Sequence, residues 1–420
     1  MRKLCCSSSS TRRHVDSSPL LVDSSTRRLV DLKKRLPSQV ILLGLAALLN
    51  DAASELIYPL LPVFLTTTLG ATPAIIGIIE GTADGLASIL KYFSGAWSDR
   101  AGKRKPLIVS GYGLAAASRL LIAAATVWPL VLVARLVDRT GKGMRSAPRD
   151  AMISDVTPPE NRGRAYGFHR ALDHTGAIVG PLLAVLLLQG LGVSLRMVFF
   201  LAVIPGAIGM VMLLVALRES DGGTTQRIES DPSVPLPRRF REAIAAVGLF
   251  SLANSSDAFL LLQAHAVGVS TAMLPLLWAA HHVIKSLFST RAGALSDRID
   301  RRYLLIAGWL SYAVIYAIFP FARTLTSFVV LFVLYAIPFT LSEGAERAWI
   351  ADMVPAAARG RSFGIYYLAN GLCVLIGSAV FGVIYQQVSA EAAFFTGAGL
   401  AAAAAALVAL RWKPATPQPL

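Results

Sequence analysis

Cysteine, acidic side chains and charge of either sign are scarce in this sequence. Only 3 of its 420 residues are Cys, two adjacent (Cys5, Cys6) and one distant (Cys373). That number and spacing fit neither a disulfide framework nor a metal-ligand set, so no cofactor and no metal are expected. Asp, Glu, Lys and Arg make up 15% of the chain and hydrophobic residues 55%, a balance that excludes an ordinary soluble domain. Enzyme signatures are missing too: there is no P-loop, HExxH, GxSxG or paired CxxC. Gly141-Lys142-Gly143 lies inside an apolar segment, without the strand that a P-loop needs before it. Neither an enzyme nor a pump driven by nucleotide hydrolysis is expected.

What is present is a series of apolar blocks of about 20 residues, each able to cross roughly 30 Å of hydrocarbon. They predict an all-α integral membrane protein with twelve transmembrane helices, near 40–65, 73–97, 106–126, 128–153, 163–190, 194–217, 242–266, 271–294, 303–322, 325–351, 361–387 and 391–411. The formal charge of +15 does not indicate nucleic acid, because it sits on alternate connections. Arg27, Arg28, Lys33, Lys34 and Arg35 precede the first span, and Arg100, Lys103, Arg104 and Lys105 follow the second. Further basic groups are Arg162 and Arg164, Arg238, Arg239 and Arg241, Arg298, Arg301 and Arg302, and Arg359 and Arg361. By the positive-inside rule these connections and both termini are cytoplasmic, in a multi-pass protein of the plasma membrane, the inner membrane of a bacterium. Residues 1–37, rich in Ser and Arg without an apolar signal region, read as a disordered cytoplasmic tail, and 413–420 as a short second tail.

The chain also repeats itself. A constant 197 residues separates Asp155 from Asp352, Arg162 from Arg359 and Gly167 from Gly364, and 198 separate Asp99 from Asp297. Two pseudo-symmetric six-helix bundles, 38–217 and 241–412, joined by a cytoplasmic linker over 218–240, are therefore predicted, with a site near the midplane between rocking halves. Over about 38–412 the sequence resembles the major facilitator superfamily. Gly95, Asp99, Arg100, Gly102, Lys103 and Arg104 match its signature loop between the second and third helices, with Trp97 replacing the usual leucine. In the second copy Asp297 and Arg298 recur, and Asp300 stands where a glycine is expected. Arg135 and Gly143 resemble its fourth-helix arginine motif, with Arg139 in place of a glycine. Gly176, Gly180 and Pro181 resemble the motif of its antiporter branch, with Ala184 at the final glycine position. The resemblance implies a secondary transporter that moves a small-molecule substrate by alternating access, acting as a monomer in the lipid bilayer.

The chemistry concentrates in the fourth span. At about 100° per residue, Arg135, Asp138, Arg139, Lys142, Arg145 and Arg149 fall within roughly 120° of arc. A stripe of that kind faces the bundle interior or a wet path, because lipid would not tolerate it. Asp51 and Glu55 share a face of the first span with Tyr58, and Glu80 and Asp84 share one on the second with Lys91. Burial raises the affinity of such carboxylates for a proton and a nearby cation lowers it, which is the tuning that proton coupling needs; a static ion-pair network is the alternative. Arg135 to Lys142 are expected at the coupling or substrate cavity, and Arg145 to Asp150 near the cytoplasmic gate. Asp99 is expected to accept from the N-terminus of a neighbouring helix and pair with an arginine, clasping that end. In the second half Asn254, Asp257, His281, His282, Lys285, Glu343, Glu346 and Arg347 are the intramembrane polar groups, with Glu343 and Arg347 spaced to neutralise each other. His281 has the chemistry to titrate near neutral pH or to pack as a neutral ring. Tyr366, Tyr367 and Asn370 suit a cavity wall or a helix interface equally.

Three functions compete. Proton-coupled export by antiport comes first, on the helix 1 carboxylates and the partial antiporter motif. Cation-coupled uptake of an organic anion is the alternative, with Arg135, Arg139 and Lys142 binding the anionic group. A receptor-like protein that transports nothing is the third, disfavoured because the signature loop is intact.

Overall fold

The computed structural model describes residues 36–71, 73–219, 235–254, 260, 263–264, 267–269 and 274–411. The long helices are α1 (Ser38–Ile57), α2 (Pro73–Ala101), α3 (Lys105–Ala124), α4 (Trp128–Val156), α5 (Arg162–Val185) and α6 (Leu195–Ala216). They continue as α7 (Arg238–Ala253), α8 (Leu274–Ser296), α9 (Arg301–Ile318), α10 (Leu325–Asp352), α11 (Arg359–Gln387) and α12 (Ala390–Arg411). Among the described residues, eight helices are long and apolar enough to cross a membrane: α1, α3, α5, α6 and α9 to α12. Residues 1–35 of the tail expected at 1–37, most of the linker (220–234) and the second tail lie outside the described residues.

Local sequence explains where these helices break. Regular α1 stops at Ile57, where Pro59 and Pro62 remove two backbone donors, and the chain goes on as single tighter and wider turns to Thr68. In α6 and α10 the helix is interrupted at Ala202 and Tyr335, each three residues before a proline, Pro205 and Pro338. A proline ring clashes with the carbonyl four residues back, so the kink falls on the preceding turn.

From Pro37 onward the chain forms one compact unit, and its packing repeats as the sequence does. Helix α1 packs on α5 and α6, as α7 packs on α11 and α12; α4 packs on α2 and α3, as α10 packs on α8 and α9. The two most extensive cross-contacts, α2 with α11 and α5 with α8, bring the repeats together. Both crossings run through glycine: a Cβ on Gly95 would lie 2.1 Å from the Gly360 carbonyl oxygen, and one on Gly293 2.1 Å from that of Gly163. No other residue permits backbones so close.

Apolar cores fill the two repeats. Leu56, Phe64, Ile122, Val131, Val198 and Phe199 are buried together in the first, where the Phe64 and Phe199 rings meet edge-on at 5.2 Å. In the second, Tyr312, Tyr316, Phe319, Tyr335 and Phe394 form an aromatic cluster, and the Tyr312 hydroxyl donates to the Ala253 carbonyl (3.0 Å), where α7 ends.

Candidate functional site

Three polar constructions are buried among these apolar surfaces. The first is a cavity of about 180 Å³ enclosed by α1, α3 and α4. Helix α1 contributes Asp51, Ser54 and Glu55 and the turn after it Tyr58, α3 contributes Ser118 and Arg119, and α4 contributes Arg135, Asp138, Arg139, Lys142 and Arg145. The expected convergence of helix 1 carboxylates and helix 4 cations is what the fold produces. Asp138 sits between two arginines, 3.6 Å from Arg135 and 3.9 Å from Arg139, and the Arg135 guanidinium lies over the Tyr58 ring at 5.5 Å. The Asn50 amide donates to Asp51 at 3.1 Å.

Two cations here are held differently. Arg119, 2% exposed, donates from Nη2 to the Asn50 carbonyl (3.0 Å), the Asn50 side-chain oxygen (2.8 Å) and the Ser54 hydroxyl (2.9 Å). Arg145, 6% exposed, donates to the Gly111 carbonyl (3.1 Å) and covers the Tyr112 ring at 4.8 Å. Arg145 therefore belongs to the cavity wall, whereas its position toward the end of α4 had suggested the gate; Gly111, with no side chain, lets α3 come close enough to capture it. Arg119 went unremarked in the sequence, although a lone arginine in the apolar run of α3 was its visible signal.

The second construction lies where the repeats meet. Glu343 on α10 is the hub: Lys285 Nζ is 2.8 Å away, His174 Nε2 3.4 Å, and Arg170 donates to the same carboxylate. Arg170 also pairs with Asp173 at 2.8 Å, which has His169 at 3.5 Å. Asp150, 1% exposed, is approached by Arg149 (3.1 Å), Arg347 (3.4 Å) and the Tyr367 hydroxyl. The i, i+4 spacing of Glu343 and Arg347 does not make them an ion pair. Glu343 turns to α5 and α8, while Arg347 turns to Asp150 and gives only one N–H to the Glu343 carbonyl oxygen, at 2.7 Å. His281 is packed, stacked on Trp278 at 5.8 Å, and His282 reaches His174 at 3.1 Å. Tyr366 is buried and Asn370 donates to Ser251 at 3.2 Å. The Glu80 and Asp84 side chains and all of Asp257 lie outside the described residues.

The third construction is a pair of clasps at one end of the molecule. Asp99 accepts from the Gly360 amide (2.9 Å) and the Arg361 amide (2.6 Å) at the start of α11, and Arg104 holds the same carboxylate at 3.0 Å. Asp297 accepts from the Gly163 and Arg164 amides (both 2.7 Å) at the start of α5, and Arg301 holds it at 2.9 Å. Ion pairs flank each clasp: Asp155 binds Arg104 (2.6 Å) and Arg359 (2.7 Å), and Asp352 binds Arg301 (2.8 Å) and Arg162 (2.6 Å). Helix N-termini attract carboxylates through unpaired N–H groups and the helix dipole, which is why one acid suffices to hold each. Arg100, Lys103 and Arg298 are exposed, and Arg301 takes in the second clasp the place that Arg104 has in the first. Gly102 supplies the left-handed turn (φ 60°) between α2 and Arg104. Gly176 and Gly180 lie on α5 against α1, where a Cβ would come within 2.6 Å of the Leu48 and Ala52 carbonyl oxygens.

Known proteins share this fold. The profile of the Major Facilitator Superfamily matches residues 43–280 and 243–420, which together take in both repeats. An uncharacterised MFS-type transporter of Methanocaldococcus jannaschii is 30% identical over 375 residues, covering 88% of this chain and 93% of its own. The structure of the human organic anion transporter MFSD10 superimposes with a TM-score of 0.72 at 18% identity, over 89% of this chain and 100% of that one. The Escherichia coli fucose:proton symporter superimposes with a TM-score of 0.71 at 16% identity, over 89% and 98%.

Proposed function

The chain belongs to the major facilitator superfamily, whose members move solutes across membranes and are not enzymes, and from that premise we propose that it is a proton-coupled secondary transporter whose proton sites are Asp51 and Glu55. The observation that carries this reading is that both carboxylates line a cavity whose other wall is the cationic face of α4. The charge in the cavity shifts the proton affinity of such carboxylates, so proton and charged-solute occupancy are linked there. We read α1 to α12 as twelve spans in two six-helix bundles, with both termini and both clasps on the cytoplasmic side of a plasma membrane. The clasped arrangement is then closed to the cytoplasm, and alternating access requires α11 and α5 to leave Asp99 and Asp297.

Two directions are consistent with a proton site there. Export by antiport is favoured by Gly176 and Gly180, whose tight seating of α5 on α1 fits the antiporter branch and puts Glu55 beside that contact. Uptake by symport is favoured by the cations facing the same cavity, and the fucose:proton symporter is a precedent for that coupling on this fold. Proteoliposomes with an imposed pH gradient test the coupling. Asp51→Asn and Glu55→Gln should each abolish gradient-driven accumulation while leaving insertion and thermal stability close to wild type. If both neutral variants still concentrate solute, the proton is taken up elsewhere, and the Glu343 hub becomes the next candidate.

A further inference from the structure

The two buried charge clusters differ in a way that identifies what the cavity takes. At the junction of the repeats four cations are each answered by an acid: Arg170 and Lys285 by Glu343, Arg149 and Arg347 by Asp150. In the cavity the described lining has five cations against three carboxylates, and one of those acids, Asp138, lies between two arginines. Arg119 and Arg145 sharpen the contrast. Both are more than nine-tenths buried, both line the cavity, and among the described residues their contacts within hydrogen-bond reach are neutral: carbonyls, an amide oxygen, a hydroxyl and an aromatic face. A guanidinium fixed in position by neutral acceptors, with no carboxylate within hydrogen-bond reach, is prepared for an oxyanion from outside, which its planar fork can bind through two parallel hydrogen bonds.

We propose that the transported solute is a small organic anion, bound through its carboxylate or phosphoryl group between Arg119 and Arg145 in the cavity of the first repeat. This rests on the transporter reading above and names its substrate class. The cavity volume, below the roughly 300–1,000 Å³ of sites for drug-sized ligands, restricts the solute to a compact one.

The charge of the site also fixes the sign of its coupling. The groups that face Asp51 and Glu55 are Arg119 from α3 and Arg135, Asp138, Arg139, Lys142 and Arg145 from α4. Helix α5 adds Asp173, itself held by Arg170 and His169, and the apolar stretch of α6 against α1 adds none; on α2, Glu80 and Asp84 lie outside the described side chains. Protonating Asp51 or Glu55 makes the cavity more positive and so tightens its hold on an anion. Proton and anion then bind together, which is the linkage of a symporter rather than of an antiporter.

The full chain in lipid nanodiscs tests this by thermal stabilisation at equilibrium, with succinate, inorganic phosphate and choline as probes. One or both anions should raise the unfolding temperature and choline should not; succinate alone assigns a carboxylate site and phosphate alone a phosphoryl site. Arg119→Gln and Arg145→Gln should each weaken anion binding about tenfold or more. Should Arg119→Gln not assemble, Arg145→Gln and Arg145→Lys carry the test, the lysine keeping charge but not the fork. Anion affinity should rise as pH falls, and the Asp51→Asn/Glu55→Gln double variant should lose that dependence. Stabilisation by choline alone, by no probe, or equally in wild type and Arg145→Gln overturns the proposal. Failure of the coupling reading looks different: the anion then binds as described, but the Asp51 and Glu55 variants still accumulate it under a pH gradient.

Discussion

A buried charge in this protein is either answered by another charge or cradled by neutral groups, and the second case is where individual residues matter most. Burying an unanswered guanidinium costs several kcal/mol, so a fold keeps one only where surrounding dipoles offset most of that cost. Asn50 and Ser54 do so for Arg119. At the surface the same accounting can be checked on one acid, Asp300, which caps α9 by accepting from the Arg302 amide at 3.1 Å and pairs with the Arg302 side chain. The Arg302 guanidinium, opposed by partial burial, holds this carboxyl below its ordinary value. An acid whose folded value is depressed contributes stability above its ordinary range and loses it as pH falls through the lowered value. Asp300→Ala should therefore lower stability by about 1 kcal/mol near neutral pH and by progressively less in acid, read as the difference in unfolding temperature between the two proteins across a pH series. An unchanged difference at low pH would show that the cap acts through shape and not charge. At this scale the sequence disclosed groups that share one helix, such as Asp51 with Glu55, because helical periodicity places them. It did not disclose which groups hold Arg119, or the turning of Glu343 away from Arg347, because both depend on a register between helices far apart in the chain.

At the scale of elements, what distinguishes this fold is how closely particular helices approach. Breaks at Pro59, Pro205 and Pro338 can be read from a single helix, since the missing donor and the clash with the preceding turn are local. The contact of α5 with α1 cannot, although Gly176 and Gly180 were visible as a pattern. Their consequence is that a Cβ on Gly180 would stand 2.8 Å from the Cβ of Glu55 and 2.6 Å from the Ala52 oxygen. Gly180→Val should push α1 away from α5, costing about 1–3 kcal/mol through overpacking and displacing Glu55 from the cavity. Both the unfolding temperature and the rate of gradient-driven transport should drop, transport by the larger factor. A variant that loses stability but transports at the wild-type rate per folded molecule would separate this contact from the proposed proton site.

For the molecule as a whole, repetition in sequence becomes duplication of mechanism. The constant offset between the repeats was enough to expect two signature loops, and it also sets Arg301 opposite Arg104, 197 residues earlier, although only Asp297 and Arg298 stood out in the second copy. Both loops end in the same geometry, an acid on two backbone amides with an arginine behind it, and the clasps share no side chain: one joins α2 to α11 and the other α8 to α5. Independent restraints on one closed state should have additive effects on its free energy. Asp99→Asn and Asp297→Asn each retain one acceptor oxygen and lose the charge, which should weaken closure by about 2 kcal/mol apiece, a shift of roughly thirtyfold in the closed-to-open ratio. The double variant should then shift that ratio by about the product, close to a thousandfold. Spin labels at Lys103→Cys and Arg298→Cys, exposed positions on the two loops and outside the clasps, would report the opening as a longer inter-label distance whose population grows from wild type to single to double variant. If the double variant opens no further than either single one, the clasps form one lock, and the second copy only repeats what the first already holds.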